Sequence, residues 1–345
     1  MKKKIAICTL YDSVNCGTFL QAYSLKKTFE KLGFEVFFLK LKNDNSKITK
    51  SKEKRNIQIK EILIKLIRKI KLQFVFKKAN KQFKTIELDE LNNDTSFEYV
   101  IIGSDEIWNI NNNSFTHYIE YFGYNFKNKK IIAYAPSAND TTKEDLLNKY
   151  EKINFNNFYK LSARDKNTKN LLEQMQQKKV TDVLDPTMII DNFNEIIENT
   201  SLKNYIVVYG HRFNEKQKNE IIKFAKEKKL KTISITKYYD WCDKSIVASP
   251  GKFLSYIKNA NYIITSTFHG SVFSILFKKN FAVYLNNGSK ISDLLNKFEL
   301  KSRIADYKNI DDIIKNDIDY NNIDKILNKY KNQSIKFIKD SINSK

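Results

Sequence analysis

Cysteine, proline and glycine are all scarce in this 345-residue chain, at three, three and eight. The cysteines (Cys8, Cys16 and Cys242) are odd in number and scattered. That excludes a disulfide framework and points to a reducing, cytoplasmic compartment. They share no metal-ligand spacing with the histidines, so no metal is expected. No run of about 18 apolar residues exists, so no transmembrane helix is expected. The opening M-K-K-K-I-A-I-C-T-L-Y has too short an apolar run for a signal peptide, and Asp12 interrupts it. Arginine is also rare: Arg55, Arg68, Arg164, Arg212 and Arg303. The net charge of +22 therefore comes almost wholly from lysine. Abundant Ile, Asn and Lys with sparse Gly, Pro and Ala is the drift of an AT-rich genome. Acidic residues are interspersed through most of the chain, unlike the one-sided basic face of a nucleic-acid binder. No nucleic-acid partner is expected.

What is present is alternation. Apolar runs of strand character at 3–10, 34–39, 99–102, 130–135, 159–163 and 180–184 are separated by helical patterns. A second alternating region begins at Tyr205, with strands at 205–209, 231–235, 262–264 and 281–284. Each half reads as a doubly wound α/β domain. The expected division is a first domain at 1–195, a second at 196–318 and a final helical segment at 319–345. Two domains of roughly 150–200 residues suit the length.

Four stretches at strand ends carry chemistry. The loop 11–18 opens a helix without G-x-G-x-x-G, so no dinucleotide fingerprint is present. Its N–H groups suit an anion or a sugar hydroxyl. The run G-S-D-E-I-W-N (103–109) sets a hydroxyl, two acids, an indole and an amide at one strand end, a mixture found in sugar sites. The alternative is a structural turn with Trp108 in the core. Arg164 stands where lysine is the default, which suggests a need for forked donors to carboxylate or phosphate. The alternative is a salt bridge to Asp165 or another acid. Residues 260–276, A-N-Y-I-I-T-S-T-F-H-G-S-V-F-S-I-L, read as strand, tight turn and helix. There Gly270 permits close backbone approach, and His269 either moves protons near neutral pH or caps the turn.

Residues 47–84 break the alternation with a strongly basic stretch. Apolar positions from Ile59 to Ile70 have amphipathic helical spacing with lysines opposite. Such a helix either packs as an insert on its own domain, the preferred reading, or lies on an anionic membrane surface.

Taken in order, these stations resemble the polysaccharide pyruvyl transferase family. N-C-G-T-F-L-Q-A-Y-S-L (15–25) resembles its amino-terminal loop and helix, and I-I-G-S-D-E-I-W-N (101–109) its Gly-Ser-Asp-Gln-Val-Trp-Asn stretch. L-S-A-R-D-K-N-T (161–168) with D-P-T (185–187) resembles its Ser-Val-Arg-Glu and Asp-Pro-Thr stretches, and T-S-T-F-H-G its Thr-Ser-Ser-Phe-His-Gly signature. The resemblance spans about residues 3 to 290. It implies a glycosyltransferase-B-like fold, two Rossmann-like doubly wound domains facing across a cleft. The first domain would be the acceptor side and the second the donor side, with the last helix crossing back. It implies pyruvate transfer from phosphoenolpyruvate onto sugar hydroxyls of a surface-polysaccharide or cell-wall precursor, lipid-linked or nucleotide-linked. The product is a ketal, phosphate is released, and no cofactor is needed beyond the donor.

On this reading His269 is the acid/base or phosphate partner, with Asp105 a second catalytic group. Arg164, Thr267, Phe268, Gly270, Ser271 and Arg212 bind phosphoenolpyruvate. Asn15, Gly17, Thr18, Gln21, Ser104, Trp108 and Asn109 face the acceptor. One departure from the family stands at Thr267, where some members carry an arginine, and Arg212 or a lysine of the cleft is the substitute. A lipid-linked acceptor would place the enzyme peripherally at the inner membrane face, through 47–84. The rivals are a glycosyltransferase of the same architecture using a nucleotide sugar, and a non-catalytic basic protein binding polysaccharide or nucleic acid.

Overall fold

The computed structural model describes residues 3–41, 59–150, 153–176, 178–286, 289–306 and 308–343. Residues 47–58 of the basic stretch lie outside the described residues. Among the described residues the chain forms two all-parallel sheets. The first contains β1 (Lys4–Cys8), β2 (Glu35–Lys40), β3 (Thr85–Glu87), β4 (Phe97–Ile102), β5 (Lys130–Ala133), β6 (Phe158–Ala163) and β7 (Val180–Asp182), in the order β3-β2-β1-β4-β5-β6-β7. The second contains β8 (Tyr205–Tyr209), β9 (Lys231–Ile235), β10 (Lys244–Ile246), β11 (Tyr262–Thr265) and β12 (Asn280–Val283), in the order β10-β9-β8-β11-β12.

The central strands are continuous apolar runs because both faces of each sheet are covered by helices. Ile5, Ile7 and Ile101 face one core and Ala6, Cys8 and Ile102 another. The edge strands β3 and β10 have three residues each, too short to show a pattern, and sequence reasoning passed over both.

In both sheets the strand order reverses beside the first strand, between β1 and β4 and between β8 and β11. Open parallel sheets bind ligands outside the carboxyl ends of strands at such switch points. The last helix, Tyr320–Asn343, ties the lobes together. Near its start Tyr320 Oη donates to the Lys279 carbonyl at 2.5 Å, in the second lobe. Farther on, Ser334 Oγ accepts from the Leu184 amide, and the Ile342 carbonyl accepts from Tyr99 Oη at 2.9 Å, both in the first lobe. No helix among the described residues is long and apolar enough to cross a membrane.

Candidate functional site

The two switch points open onto one cleft of about 640 Å³. Asn15, Thr18, Asp105 and Arg164 line it from the first lobe, and Ser266, Thr267, Phe268 and His269 from the second.

Local sequence explains each position. Asn15 caps the first helix, Cys16–Lys31, its Oδ1 accepting from the Gly17 amide at 2.8 Å. After β4, Asp105 sits at φ 71°, a left-handed conformation that aspartate tolerates better than most residues. Its Oδ2 accepts from Thr18 Oγ1 at 2.7 Å. In the second lobe Thr267 caps the helix Phe268–Leu276, accepting from the Gly270 amide at 3.0 Å.

At the bottom of the cleft is a buried charge network. Arg164 Nη1 donates to Asp185 Oδ2 at 2.5 Å and to Ser104 Oγ at 3.2 Å. Its Nη2 is 3.6 Å from Asp105 Oδ1, and its guanidinium lies 4.6 Å from the centre of the Phe268 ring. The other Asp185 oxygen accepts from the Thr187 amide and hydroxyl at 3.0 and 2.6 Å. His269 reaches across from the second lobe and sets Nε2 3.8 Å from Asp185 Oδ2. That nitrogen is buried without a hydrogen-bond partner, as are Arg164 Nε and Ser266 Oγ. An unsatisfied buried polar atom costs stability, so such atoms gathered at a cleft mark a place for a ligand or water.

The electrostatics follow from this packing. Burial pulls the His269 pKa below its usual value; Asp185 and Asp105 oppose that shift and Arg164 adds to it. The imidazole is therefore neutral at pH 7. Burial pushes Asp105 up, but Arg164, His269, Thr18 and Lys290 together hold it below the usual carboxylate range. Lys290, on the helix Ser289–Lys297, contacts Glu106 across the cleft. Burial lowers its pKa to about 8 against the opposing pull of Asp105.

The residues expected from sequence divide into two groups. Asp105, Arg164, Arg212, His269, Thr18, Asn15, Asn109, Thr267 and Phe268 all line the cleft. Others are corrected. Trp108 is fully buried, not acceptor-facing. Its ring packs among Phe122, Phe155 and Phe158, and its Nε1 donates to the Tyr121 carbonyl at 2.7 Å. Gln21 is also fully buried and ties the loop after β1 to the helix, donating to the carbonyls of Leu10 and Thr18. Ser104 lies beneath the cleft, bonded to Ala135, Asp185 and Arg164. Arg164 lines the cleft but its role is corrected too: it is not a free fork for donor oxygens, because its side chain is 1% exposed and spans two carboxylates.

The phosphate cradle expected over 268–271 is narrower as well. The Gly270 and Ser271 amides are taken by the Thr267 side chain and carbonyl, leaving those of Phe268 and His269 to the cleft. Gly270 is required for packing: a Cβ there would stand 2.0 Å from Thr265 Oγ1.

Gly17 does not face an acceptor; it makes room for His269. A Cβ at Gly17 would stand 2.2 Å from Nδ1 and 2.5 Å from Cγ of that ring. Gly17→Ala is expected to displace the imidazole and lower kcat about 10–10²-fold, since small misplacements of reacting groups cost that much. The same clash should also lower stability, by about 1–3 kcal/mol, because the new methyl meets the root of a buried ring. Steady-state rates beside a melting curve check this, and unchanged kcat would show that the ring's position is immaterial.

Asp185 and Lys290 were missed as site residues. Asp185 entered only as part of the D-P-T stretch, with no site role assigned, and its side-chain contacts are tertiary. Lys290 gives no signal in a lysine-rich chain.

A family model described as polysaccharide pyruvyl transferase matches residues 15–289. No curated protein matches the sequence. Among solved structures, S. aureus MnaA with UDP aligns at a TM-score of 0.53 and 14% identity, covering 99% of this chain and 97% of that one. The UDP-GlcNAc 2-epimerase of Neisseria meningitidis bound to UDP-GlcNAc aligns at 0.51 and 10% identity over 100% of both chains. An alpha-glucosyltransferase (AGT) in complex with UDP aligns at 0.51 and 9%, covering 99% and 96%. At these identities the likeness is one of fold: the two-lobed, parallel-sheet arrangement of GT-B glycosyltransferases and their epimerase relatives.

Proposed function

This chain belongs to the polysaccharide pyruvyl transferase family, a family of polysaccharide-modifying transferases, and from that premise we propose that it moves pyruvate from phosphoenolpyruvate onto two hydroxyls of a glycan precursor. The observation that carries the reading is the meeting of His269 with Asp185, Arg164 and Asp105 in one cleft between the lobes.

The donor is an anion with phosphate and carboxylate groups. Arg212 lines the cleft without a carboxylate partner among the described residues and takes the forked-donor role that Arg164 cannot. The Phe268 and His269 amides add a helix amino terminus. Reaction requires a proton on the methylene carbon, which makes C2 oxocarbenium-like. One sugar hydroxyl attacks C2 and loses its proton; the second hydroxyl then attacks C2, loses its proton, and phosphate leaves with its bonding electrons.

Neutral His269 accepts a hydroxyl proton at its free Nε2 and returns it to the departing phosphate. Lys290, whose pKa of about 8 leaves it a proton to give near neutrality, supplies C3 and regains that proton from the other sugar hydroxyl.

A pH dependence follows. The base must be neutral, so kcat/KM rises with pH through the His269 pKa, which lies below 6.5. The acid must be protonated, so kcat/KM falls again around 8 as Lys290 loses its proton. Lys290→Met should remove the alkaline limb. A profile flat from about pH 5 to about 9 contradicts both assignments.

The donor is tested by offering phosphoenolpyruvate and UDP-sugars separately, each with an extract of glycan precursors. Phosphate released from phosphoenolpyruvate is expected. Release of UDP with no phosphate would replace this reading with nucleotide-sugar transfer.

A further inference from the structure

Eight large apolar side chains are strongly exposed among the described residues, and six of them stand on one helix. They are Ile62, Leu63, Leu66, Ile67, Ile70 and Phe74, between 45% and 73% exposed, on the helix Ile59–Asn80. At 100° per residue these six fall on a single stripe, about 18 Å long at 1.5 Å per residue. The insert packs on its own domain by its other side and, beyond the sequence reading, also reaches the second lobe. Phe76 is buried with its ring 6.5 Å from that of Phe19, and Leu72, Val75 and Ala79 lie against the same core. Arg68 donates to the carbonyls of Ser245 and Thr236 at 2.6 and 3.3 Å, fixing the helix against the second lobe. The rotation of the helix is thus held from both lobes, and the apolar stripe faces outward. A soluble surface seldom leaves this much contiguous apolar area open without a use.

The charges beside the stripe indicate what covers it. By the same helical geometry Lys69 stands along one edge, Lys71 and Lys78 along the other, and Lys77 at the C-terminal end. All four are exposed, and no carboxylate pairs with them among the described residues. Two copies of this face pressed together would bring like charges into register. An anionic surface with an apolar layer beneath it satisfies both the stripe and its rims.

We propose that the outward face of the helix Ile59–Asn80 seats the protein on an anionic lipid bilayer, with the six apolar side chains in the acyl boundary and the lysines at the headgroups. The seat adjoins the chemistry. The same helix forms one wall of a groove of about 990 Å³, with Lys65, Arg68 and Lys69 facing Arg212 and Trp241. Arg212 and His211 line both this groove and the cleft. A protein held by this face carries its groove beside the lipid surface. The inference does not depend on which donor the cleft uses.

Co-sedimentation with sized vesicles tests it, using phosphatidylglycerol mixed with phosphatidylcholine against phosphatidylcholine alone. The full chain is expected to bind the anionic vesicles, more weakly as salt rises. The double variant Leu66→Glu/Ile70→Glu is expected to lose roughly tenfold or more of that binding, because it places two carboxylates in the buried stripe. Its thermal midpoint should match the parent, since both positions are exposed. Failure of the parent to sediment with anionic vesicles overturns the proposal, as does equal binding by the variant. A concentration-dependent dimer in light scattering that the variant dissolves would assign the face to a second copy of the chain instead.

Discussion

Turnover of the His269→Asn variant is expected to fall about 10²–10⁴-fold, the range for losing a positioned general base. The reasoning begins with an orphan. Nε2 of His269 is buried, has no hydrogen-bond partner, and lies 3.8 Å from a carboxylate that belongs to the other lobe. A histidine serving only as a turn cap would bond the turn, but here the cap is Thr267, which accepts from Gly270. Burial keeps the ring neutral, the form that accepts a proton, while Asp185 and Asp105 wait to stabilise the imidazolium once it forms. Donor KM should change little if, as proposed, the donor's charges are held mainly elsewhere, by Arg212 and backbone amides. The acid limb of the pH profile should disappear with the imidazole. Steady-state phosphate release checks all three points. A variant that keeps near-parental kcat removes His269 from the chemistry.

The largest stability effect is expected at Arg164. Its side chain is 1% exposed and joined to Asp185, whose side chain is 0% exposed. Removing one partner of a buried pair leaves the other charge uncompensated, which costs about 3–5 kcal/mol. Arg164→Met should therefore unfold at a clearly lower temperature, by roughly 6–20 °C if each kcal/mol moves the midpoint by 2–4 °C. Asp185→Asn in the same chain should restore part of the loss, since a neutral amide replaces the stranded carboxylate. Arg164→Lys should cost less than Met, but it cannot reach Asp185, Ser104 and Asp105 together. Thermal melts of the three variants decide the matter. A Met variant within about 1 kcal/mol of the parent would mean that the network contributes little.

Much of this arrangement is legible in the sequence. Buried parallel strands announce themselves as apolar runs, so the central strands of both sheets were evident. Small polar residues between strand and helix located the cleft-lining turns at 11–18, 103–109 and 265–270. What stayed hidden depends on tertiary contact. Trp108 follows a strand in an irregular turn, where no period tells inward from outward. Arg164 was read either as a fork for an anionic ligand or as a salt bridge to Asp165 or another acid. Asp165 caps its own helix by accepting from Thr168, so the partner is Asp185, a choice only tertiary contact makes. The helix Ile59–Asn80 carries apolar residues around most of its circumference, so periodicity alone did not say which of them would pack. Phe76 went in and Phe74 out because Phe19 and the Arg68 anchor fix the rotation.

The central claim, pyruvate transfer at the His269 cleft, is tested most directly with phosphoenolpyruvate carrying carbon-13 in its pyruvate portion. The glycan product is followed by mass and by carbon NMR. One labelled ketal carbon in the glycan for each phosphate released, at a rate about 10²–10⁴-fold lower with His269→Asn, is the predicted result. Phosphate release without labelled carbon in the glycan, or labelling by the variant at the parental rate, would contradict it.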